Sequence, residues 1–324
     1  MHRLSIVIPC RVVDERVEET LVSVLENRPR DCQVVVVTAV PYEDPYDLAD
    51  EVCFVASDGQ ATPVQLVNRG FQEATADIVH VLMPGTRVVE GWTANVPEHF
   101  TIAEVAMVAP VVVESATDHR ALCVGIGYRA SGVRRVIGAG TRLAGRPLAT
   151  SAVLGPSLVA GFYRRDVVAA LGYFDERMEP ACADIDMALA AHELGLVAVV
   201  EPTCRVLCER AAVRPLGGFR SSRHLERLYR RYARAGWWTT FCHSLVAAWD
   251  VVCCFPHPGL LARLVGRIVA RLESGVALRQ RQRLEDAAVE LAQRTEPTPS
   301  IAIRGDFERP REKAIPSARR RRAA

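Results

Sequence analysis

VLMPGTRVVEGW, Val81–Trp92, closes a series of short apolar runs, and how it is read decides the fold and tests the chemistry. Upstream lie LSIVIP (Leu4 to Pro9), QVVVVT (Gln33 to Thr38) and EVCFVA (Glu51 to Ala56), and the stretch itself completes DIVHVLM (Asp77 to Met83). Each run is short, rich in β-branched residues and bounded by polar segments, the pattern of a buried strand. Between the first two, Val17, Leu21, Val24 and Leu25 recur at helical spacing behind Asp14, Glu15, Glu18 and Glu19, acids that a helix dipole favours in its first turns. A second helix is expected from about Thr62 to Thr75. The alternation predicts an α/β protein with a largely parallel, helix-covered sheet. Ligands on such sheets gather outside the carboxyl ends of the strands, here Pro9 to Val13, Thr38 to Pro41, Ala56 to Gly59 and Met83 to Thr86. The last of these ends, at Met83, Pro84 and Gly85, carries no carboxylate side chain.

Further along, Val105 to Val113 reads as a strand. ALCVGIGYRASGVRRVIGAG (Ala121 to Gly140) reads as a hairpin turning near Ala130 to Gly132. Helices are expected over Arg164 to Leu171 and Ile185 to Leu194, followed by a strand at LVAVVEP (Leu196 to Pro202). From Arg223 to Arg294 the pattern is almost entirely helical. VIGAGTRLAG (Val136 to Gly145) has the spelling of a degraded dinucleotide fingerprint, but its glycines are wrongly spaced and no opening βαβ unit surrounds them. It is expected to be a hairpin strand with turn glycines.

At 324 residues, 49% hydrophobic and 24% charged, the chain has the composition of an ordinary globular protein. Its net charge of +2 hides an asymmetry. From Arg214 onward there are 22 basic against 10 acidic residues; before it, 18 against 28. A basic appendage on an acidic body points to a polyanionic partner surface. Three parts follow: residues 1–213, a basic helical extension over 214–294, and an Arg/Pro-rich tail over 295–324 that is expected to be disordered. The ten cysteines include no C-x-x-C pair; Cys204 and Cys208 are four apart, and Cys253 and Cys254 are adjacent. Buried reduced thiols are therefore expected rather than zinc ligands. With a strand starting almost at once and no apolar signal region, a cytoplasmic location is the expectation.

Several stretches together resemble the family 2 glycosyltransferases, inverting enzymes built on a GT-A-type nucleotide-sugar domain. SIVIPC followed by ETLVSVLENRP is similar to that family's opening strand, loop and helix. VNRGFQEATADIVHVL is similar to its Asn-x-Gly helix and the strand before the metal motif. GPSLVAGFYRRDVVAALGYFDERMEPACADIDMALAAHELG carries a small-residue loop, an Arg-Arg pair, a Gly-x-Phe-Asp turn and an acidic Asp-x-Asp helix start in the family's order. The resemblance spans roughly residues 4 to 206. It implies a GT-A-type, Rossmann-like mixed sheet flanked by helices, with the helical segment as a C-terminal extension.

The resemblance also distributes roles. Displacing a nucleoside diphosphate from a sugar requires that the nucleotide be held, its developing charge neutralised, and the acceptor hydroxyl deprotonated. Asp184 would be the general base and Asp186 a supporting carboxylate, although an Asp here also serves as an ordinary helix cap. The donor would lie against Pro9, Arg11, Asp58, Asn68, Gly70 and Arg87, and Arg164 and Arg165 would face the acceptor. At the end of the second strand, where the family usually has acidic residues, stand Thr38 and Ala39; Glu43 and Asp44 follow nearby in what reads as a solvated loop. Met83 and Gly85 have no side-chain oxygen for a hard divalent cation, and Leu207, Cys208 and Glu209 replace the family's later histidine. No metal cofactor is therefore expected. Arginine, with Arg11 foremost, is the natural substitute for the ion, because its fork binds phosphate bidentately. The implied partners are a nucleotide-sugar donor and a glycan or lipid-linked acceptor. The alternative is a catalytically inactive GT-A-like binding or scaffold protein.

In the extension, GWWTTFCHSLVAAWDVVCCF (Gly236 to Phe255) contains His243 and Asp250, too polar for a full membrane span. Trp238, Phe241, Leu245, Trp249 and Val252 share one helical stripe. LLARLVGRIVARL places Arg263, Arg267 and Arg271 four apart beside Leu260, Leu264, Ile268 and Leu272, a basic amphipathic helix. Residues 236–272 thus read either as a peripheral contact with the inner face of a membrane or as helices packed on the body with their arginines in water. With no aromatics interleaved among the terminal arginines, nucleic acid is the weakest partner.

Overall fold

The computed structural model describes residues 3–114, 120–129, 131–143, 153–209, 218–232, 237–252, 259–273 and 276–295. Strand β1 (Leu4–Cys10) is buried along its whole length. It pairs in parallel with β2 (Cys32–Thr38) on one side and β4 (Ile78–Leu82) on the other, and β3 (Cys53–Ala56) extends the sheet beyond β2. The chain therefore winds outward through β1, β2 and β3, then returns to lay β4 on the opposite side of β1. That reversal opens a crevice at the carboxyl end of β1.

Beyond β4 the sheet becomes mixed. Antiparallel β10 (Ala160–Arg164) joins β4 to β6 (Val105–Val113), β6 takes β11 (Val197–Cys208) in parallel, and β5 (Thr86–Val88) pairs antiparallel with β11. With β7 (Ala121–Cys123) on β6, nine strands form one mixed sheet. The expected α/β architecture is present. β5 and β7 are three residues each, too short to show a period in the sequence. β11 runs on to Cys208 through an irregularity between Glu201 and Arg205, which lets the strand continue past Pro202.

One face of the sheet is covered by α1 (Glu15–Asn27) and the short α3 (Val96–His99); the other by α2 (Pro63–Glu73), α4 (Arg165–Ala170) and α5 (Pro180–Glu193). The Asp14 side chain accepts the Val17 N–H at 3.1 Å and caps α1. Thr62 and Gln65 form a reciprocal capping box at α2. The hairpin is present as β8 (Gly125–Tyr128) and β9 (Arg134–Ile137), with Tyr128 opposite Arg134. Gly138 and Gly140 follow with φ of +75° and +76°, so the glycine-rich stretch is a strand end and a turn; residues 144 and 145 lie outside the described part. So do Cys253, Cys254 and residues 296–324. Six of the eight described cysteines are buried, and all eight are free thiols.

The extension forms α6 (Phe219–Tyr232), α7 (Trp237–Val252), α8 (Gly259–Leu272) and α9 (Val276–Thr295). Here one expectation is reversed. The arginines of α8 do not simply lie in water. Arg267 turns inward, 3.4 Å from Glu226, and Arg271 reaches the same carboxylate at 2.8 Å. Glu226 on α6 is only 2% exposed, and a buried carboxylate needs cations around it. Leu261, Val265, Ile268 and Leu272 face outward instead. Among the described residues, no helix is long and apolar enough to cross a membrane.

Candidate active site

The rim at the carboxyl ends of the parallel strands assembles some of the expected residues. Pro9 is buried in β1 opposite Val37. Arg11, just past β1, is exposed and donates from its guanidinium to the Gly59 carbonyl at 3.4 Å. Asp58 is exposed on the turn between β3 and α2, where its carboxylate accepts the Gln60 N–H at 3.0 Å. Arg11, Asp58 and Gly59 are thus brought together beside the crevice. Thr38 and Ala39 are buried, and Asp44 ties its own loop by accepting the Leu48 N–H at 2.8 Å.

Other expected residues are held in the framework. Asn68 is 3% exposed and makes paired hydrogen bonds with the Phe174 main chain, at 2.9 Å and 3.0 Å, plus one to Glu176. It fastens α2 to the Gly172–Asp175 turn. A Cβ on Gly70 would stand 2.2 Å from a Val7 methyl, so this glycine lets α2 lie close against β1. Neither residue faces the rim with a free polar group. Arg87 is exposed in β5, opposite Leu207. Arg164 and Arg165 lie at the other end of the sheet, where Arg164 pairs with Ile78 at the start of β4. The Arg164 guanidinium donates to the carbonyls of Phe100, Ile102 and Val105, and Arg165 to that of Ala74. Both strap loops together at the edge away from the crevice, which corrects the acceptor-side expectation.

α5 carries the two candidate catalytic acids. It begins at Pro180, five residues before the expected start, because proline suits a first helical position. Glu179 occupies the cap position, so Asp184 is not a helix cap. Asp184 and Asp186 both lie in the helix body, and residues two apart on a helix face different directions. Asp184 turns toward the hairpin and Asp186 toward the extension.

Asp184 is 2% exposed. Arg134 of β9 donates to its Oδ2 at 2.7 Å, and the Leu158 N–H approaches the same oxygen at 3.4 Å. Burial alone would ease the proton off Arg134, but the facing carboxylate outweighs it and holds the guanidinium more firmly charged. Asp186 is 1% exposed; it accepts from Arg231 at 2.8 Å, from the Tyr232 hydroxyl at 3.1 Å and from Arg283 at 3.4 Å. Arg231 also binds Asp175 at 2.7 Å. Burial would raise the Asp175 carboxyl, yet hydrogen bonds and charge from Arg177 and Arg231 carry it well below the usual carboxylate range. Arg283 further donates to the carbonyls of Leu171 and Tyr173. These lie in a turn where Gly172 and Tyr173 have φ of +70° and +62°, a conformation that a tyrosine adopts only when its surroundings impose it.

At the end of β4, the Gly85 N–H donates to the Arg16 carbonyl at 3.1 Å and the Thr20 hydroxyl at 3.0 Å. The residues here do not suit a divalent cation: Met83 has only a soft thioether and Gly85 no side chain. Among the described residues no group of three or more His, Cys, Asp or Glu is placed to hold a metal.

No protein-family model matches this sequence, and no curated protein matches it either. Solved structures do. GalNAc-T7, determined with UDP, GalNAc and Mn²⁺, aligns over 90% of this chain and 58% of its own, with a TM-score of 0.55 and 14% identity. Residues 1–349 of S. aureus TarS align over 90% of this chain and 91% of theirs, with a TM-score of 0.52 and 10% identity. The chain has a GT-A-type glycosyltransferase fold. Its GT-A sheet accounts for the placement of the crevice, and Arg231 of α6 and Arg283 of α9 tie the extension to α5 and the Gly172–Asp175 turn.

Those arginines were not legible as site residues. Arg134, Arg231 and Arg283 are 50, 45 and 97 positions from their partners on α5, and no local spacing links them. The one available signal was a count: buried Asp-x-Asp acids in a chain whose excess of arginine lies downstream.

Proposed function

We propose that this protein is a glycosyltransferase that takes a sugar from a nucleotide-sugar donor, without a divalent metal, and places it with inversion on an acceptor hydroxyl. The observation that carries this reading is the reversal of winding at β1, which puts Arg11 and Asp58 at the crevice where such sheets bind ligands. The fold supports a nucleotide-sugar donor and a glycan acceptor, since the similar solved structures include one with UDP and GalNAc. In this reading Asp184 is the general base. Arg134 holds its carboxylate at 2.7 Å, and must swing aside for an acceptor hydroxyl to reach hydrogen-bonding distance.

A second reading, a GT-A-like binding or scaffold protein, is favoured by that same pair, because Arg134 and Asp184 seal each other with side chains 9% and 1% exposed. A thermal-shift screen of nucleotide-sugars and nucleoside diphosphates, with and without Mn²⁺, separates the two. Stabilisation followed by sugar release or transfer that Asp184→Asn abolishes supports the enzyme; binding without turnover supports the scaffold.

We also propose a peripheral membrane contact through residues 236–272, with a lipid-linked acceptor as the reason for it. The supporting observation is the outward apolar surface: Trp237 is 80% exposed, Trp249 69% and Leu261 67%. Tryptophans and leucines on the open sides of short helices suit the interface between headgroups and acyl chains. Because Arg267 and Arg271 face Glu226, apolar burial rather than charge would dominate that contact.

A further inference from the structure

Glycosyl transfer from a nucleoside diphosphate sugar leaves a diphosphate whose negative charge needs a cation. The end of β4, where Met83 and Gly85 cannot seat a metal, has one in place. A Cβ on Gly85 would stand 3.1 Å from both Nε and Nη2 of Arg16. The guanidinium therefore lies in the space into which any side chain at position 85 would project. Gly85 has a φ of +84°, a backbone conformation that disfavours an aspartate there as well. Its N–H is bonded to the Arg16 carbonyl and to Thr20, so this loop is fixed to the first turn of α1, which carries the arginine.

The guanidinium has only one ionic partner among the described contacts, and that partner is loose. Glu209, just beyond β11, approaches at 3.6 Å, with side-chain exposures of 54% for Arg16 and 73% for Glu209. A charge-assisted hydrogen bond is about 2.7–2.9 Å long, and an exposed ion pair of this kind contributes little. The contrast with the closed pairs at Asp184 and Asp186 is plain: Arg16 has its fork half in water, against a counterion that a stronger anion can displace.

We propose that Arg16 is the cation that holds the donor's diphosphate, in the position where a metal would otherwise act, with Glu209 as the counterion it exchanges for phosphate. This rests on the nucleotide-sugar reading above. It also moves the principal phosphate contact from Arg11, which the sequence favours, to Arg16. Arg11, across the crevice at Gly59, is the neighbouring charge and not the replacement for the ion.

The test is calorimetric titration of the full chain with UDP, GDP, CDP, ADP and dTDP, each in EDTA and again with Mn²⁺. Wild type should bind at least one of them in EDTA with an affinity that Mn²⁺ leaves unchanged. Arg16→Ala should then raise Kd by about 10- to 100-fold, the loss of a hydrogen bond to a charged group. Arg16→Lys should keep part of the affinity, and Glu209→Gln should tighten binding by removing the competing carboxylate. If Arg16→Ala binds as well as wild type, this inference fails while the glycosyltransferase reading stands; if wild type binds only with Mn²⁺, this inference and the metal independence fail together, and the nucleotide-sugar donor alone stands. If wild type binds none of the five under either condition, both fall.

Discussion

Asp184 and Asp186 are two residues apart on one helix, equally buried, and each is paired with arginine, yet they are held in opposite ways. Among the described residues Asp184 has one guanidinium partner, supplied by the β8–β9 hairpin. Asp186 is gripped by Arg231 of α6 and Arg283 of α9, with Asp175 sharing Arg231. A pair with one movable partner can open; a four-membered lattice cannot open at one bond without stranding the others. In the proposed reading, the difference separates the carboxylate assigned to chemistry from one that fastens the extension to α5.

The largest effect should therefore come from breaking the lattice. Asp186→Ala leaves buried Arg231 with Asp175 as its remaining carboxylate and takes from Arg283 its carboxylate partner among the described residues, and chemical denaturation should show a loss of about 3–5 kcal/mol. A smaller loss for Asp186→Ala than for Asp184→Ala would invert the comparison. At Asp184 the larger change should be in rate. Asp184→Asn retains an acceptor oxygen for Arg134, so the fold should persist while sugar transfer falls by about 10²- to 10⁴-fold, the usual worth of a general base. Turnover at the wild-type rate would remove Asp184 from the chemistry.

Acid should discriminate next. Burial favours the neutral form of Glu226, but hydrogen bonds from His243 and Arg271 and their charges hold its carboxyl down at about 2. A carboxylate whose folded value is depressed contributes its stability fully above the unfolded value of about 4.5 and loses it as pH falls toward 2. Over that window the contribution is about 3 kcal/mol. Unfolding curves collected down the pH scale should show the loss in wild type and a flatter profile in Glu226→Gln. The smallest effect on the fold should come from the outward apolar face. Leu261→Ser and Trp237→Ser should change stability by less than about 0.5 kcal/mol, yet weaken co-sedimentation with phosphatidylcholine–phosphatidylglycerol vesicles several-fold. Unchanged sedimentation would remove the membrane from the account.

The same contrast explains what could be read from the sequence. The strands of the parallel half announce themselves because β-branched runs such as Val34 to Val37 are buried on both faces. The crevice follows from their order, and Arg11 and Asp58 follow from the crevice. Asn68 and Gly70 matched a motif correctly, but the motif reports close packing of α2 on β1 and on the Gly172 turn rather than ligand contact. Of the three α8 arginines, Arg267 departs from the reading that placed them in water, for a related reason. A four-residue spacing shows that they share a side of the helix, not which way that side faces, and the decision lies with Glu226 on another helix. Arg16 was invisible because its neighbour Gly85 has no side chain to signal a partnership.

Arg134 precedes Asp184 in the chain, whereas Arg231 and Arg283 follow Asp186 by 45 and 97 residues. Translation runs in one direction, at about 5–20 residues per second. A nascent chain therefore has the first acid neutralised as soon as α5 emerges, while the second waits about 5 to 20 s for its last guanidinium. Through that interval the far side of α5 exposes a bare acid that cannot be enclosed. The sheet is laid down early, but the far side of α5 is sealed only when α9 arrives.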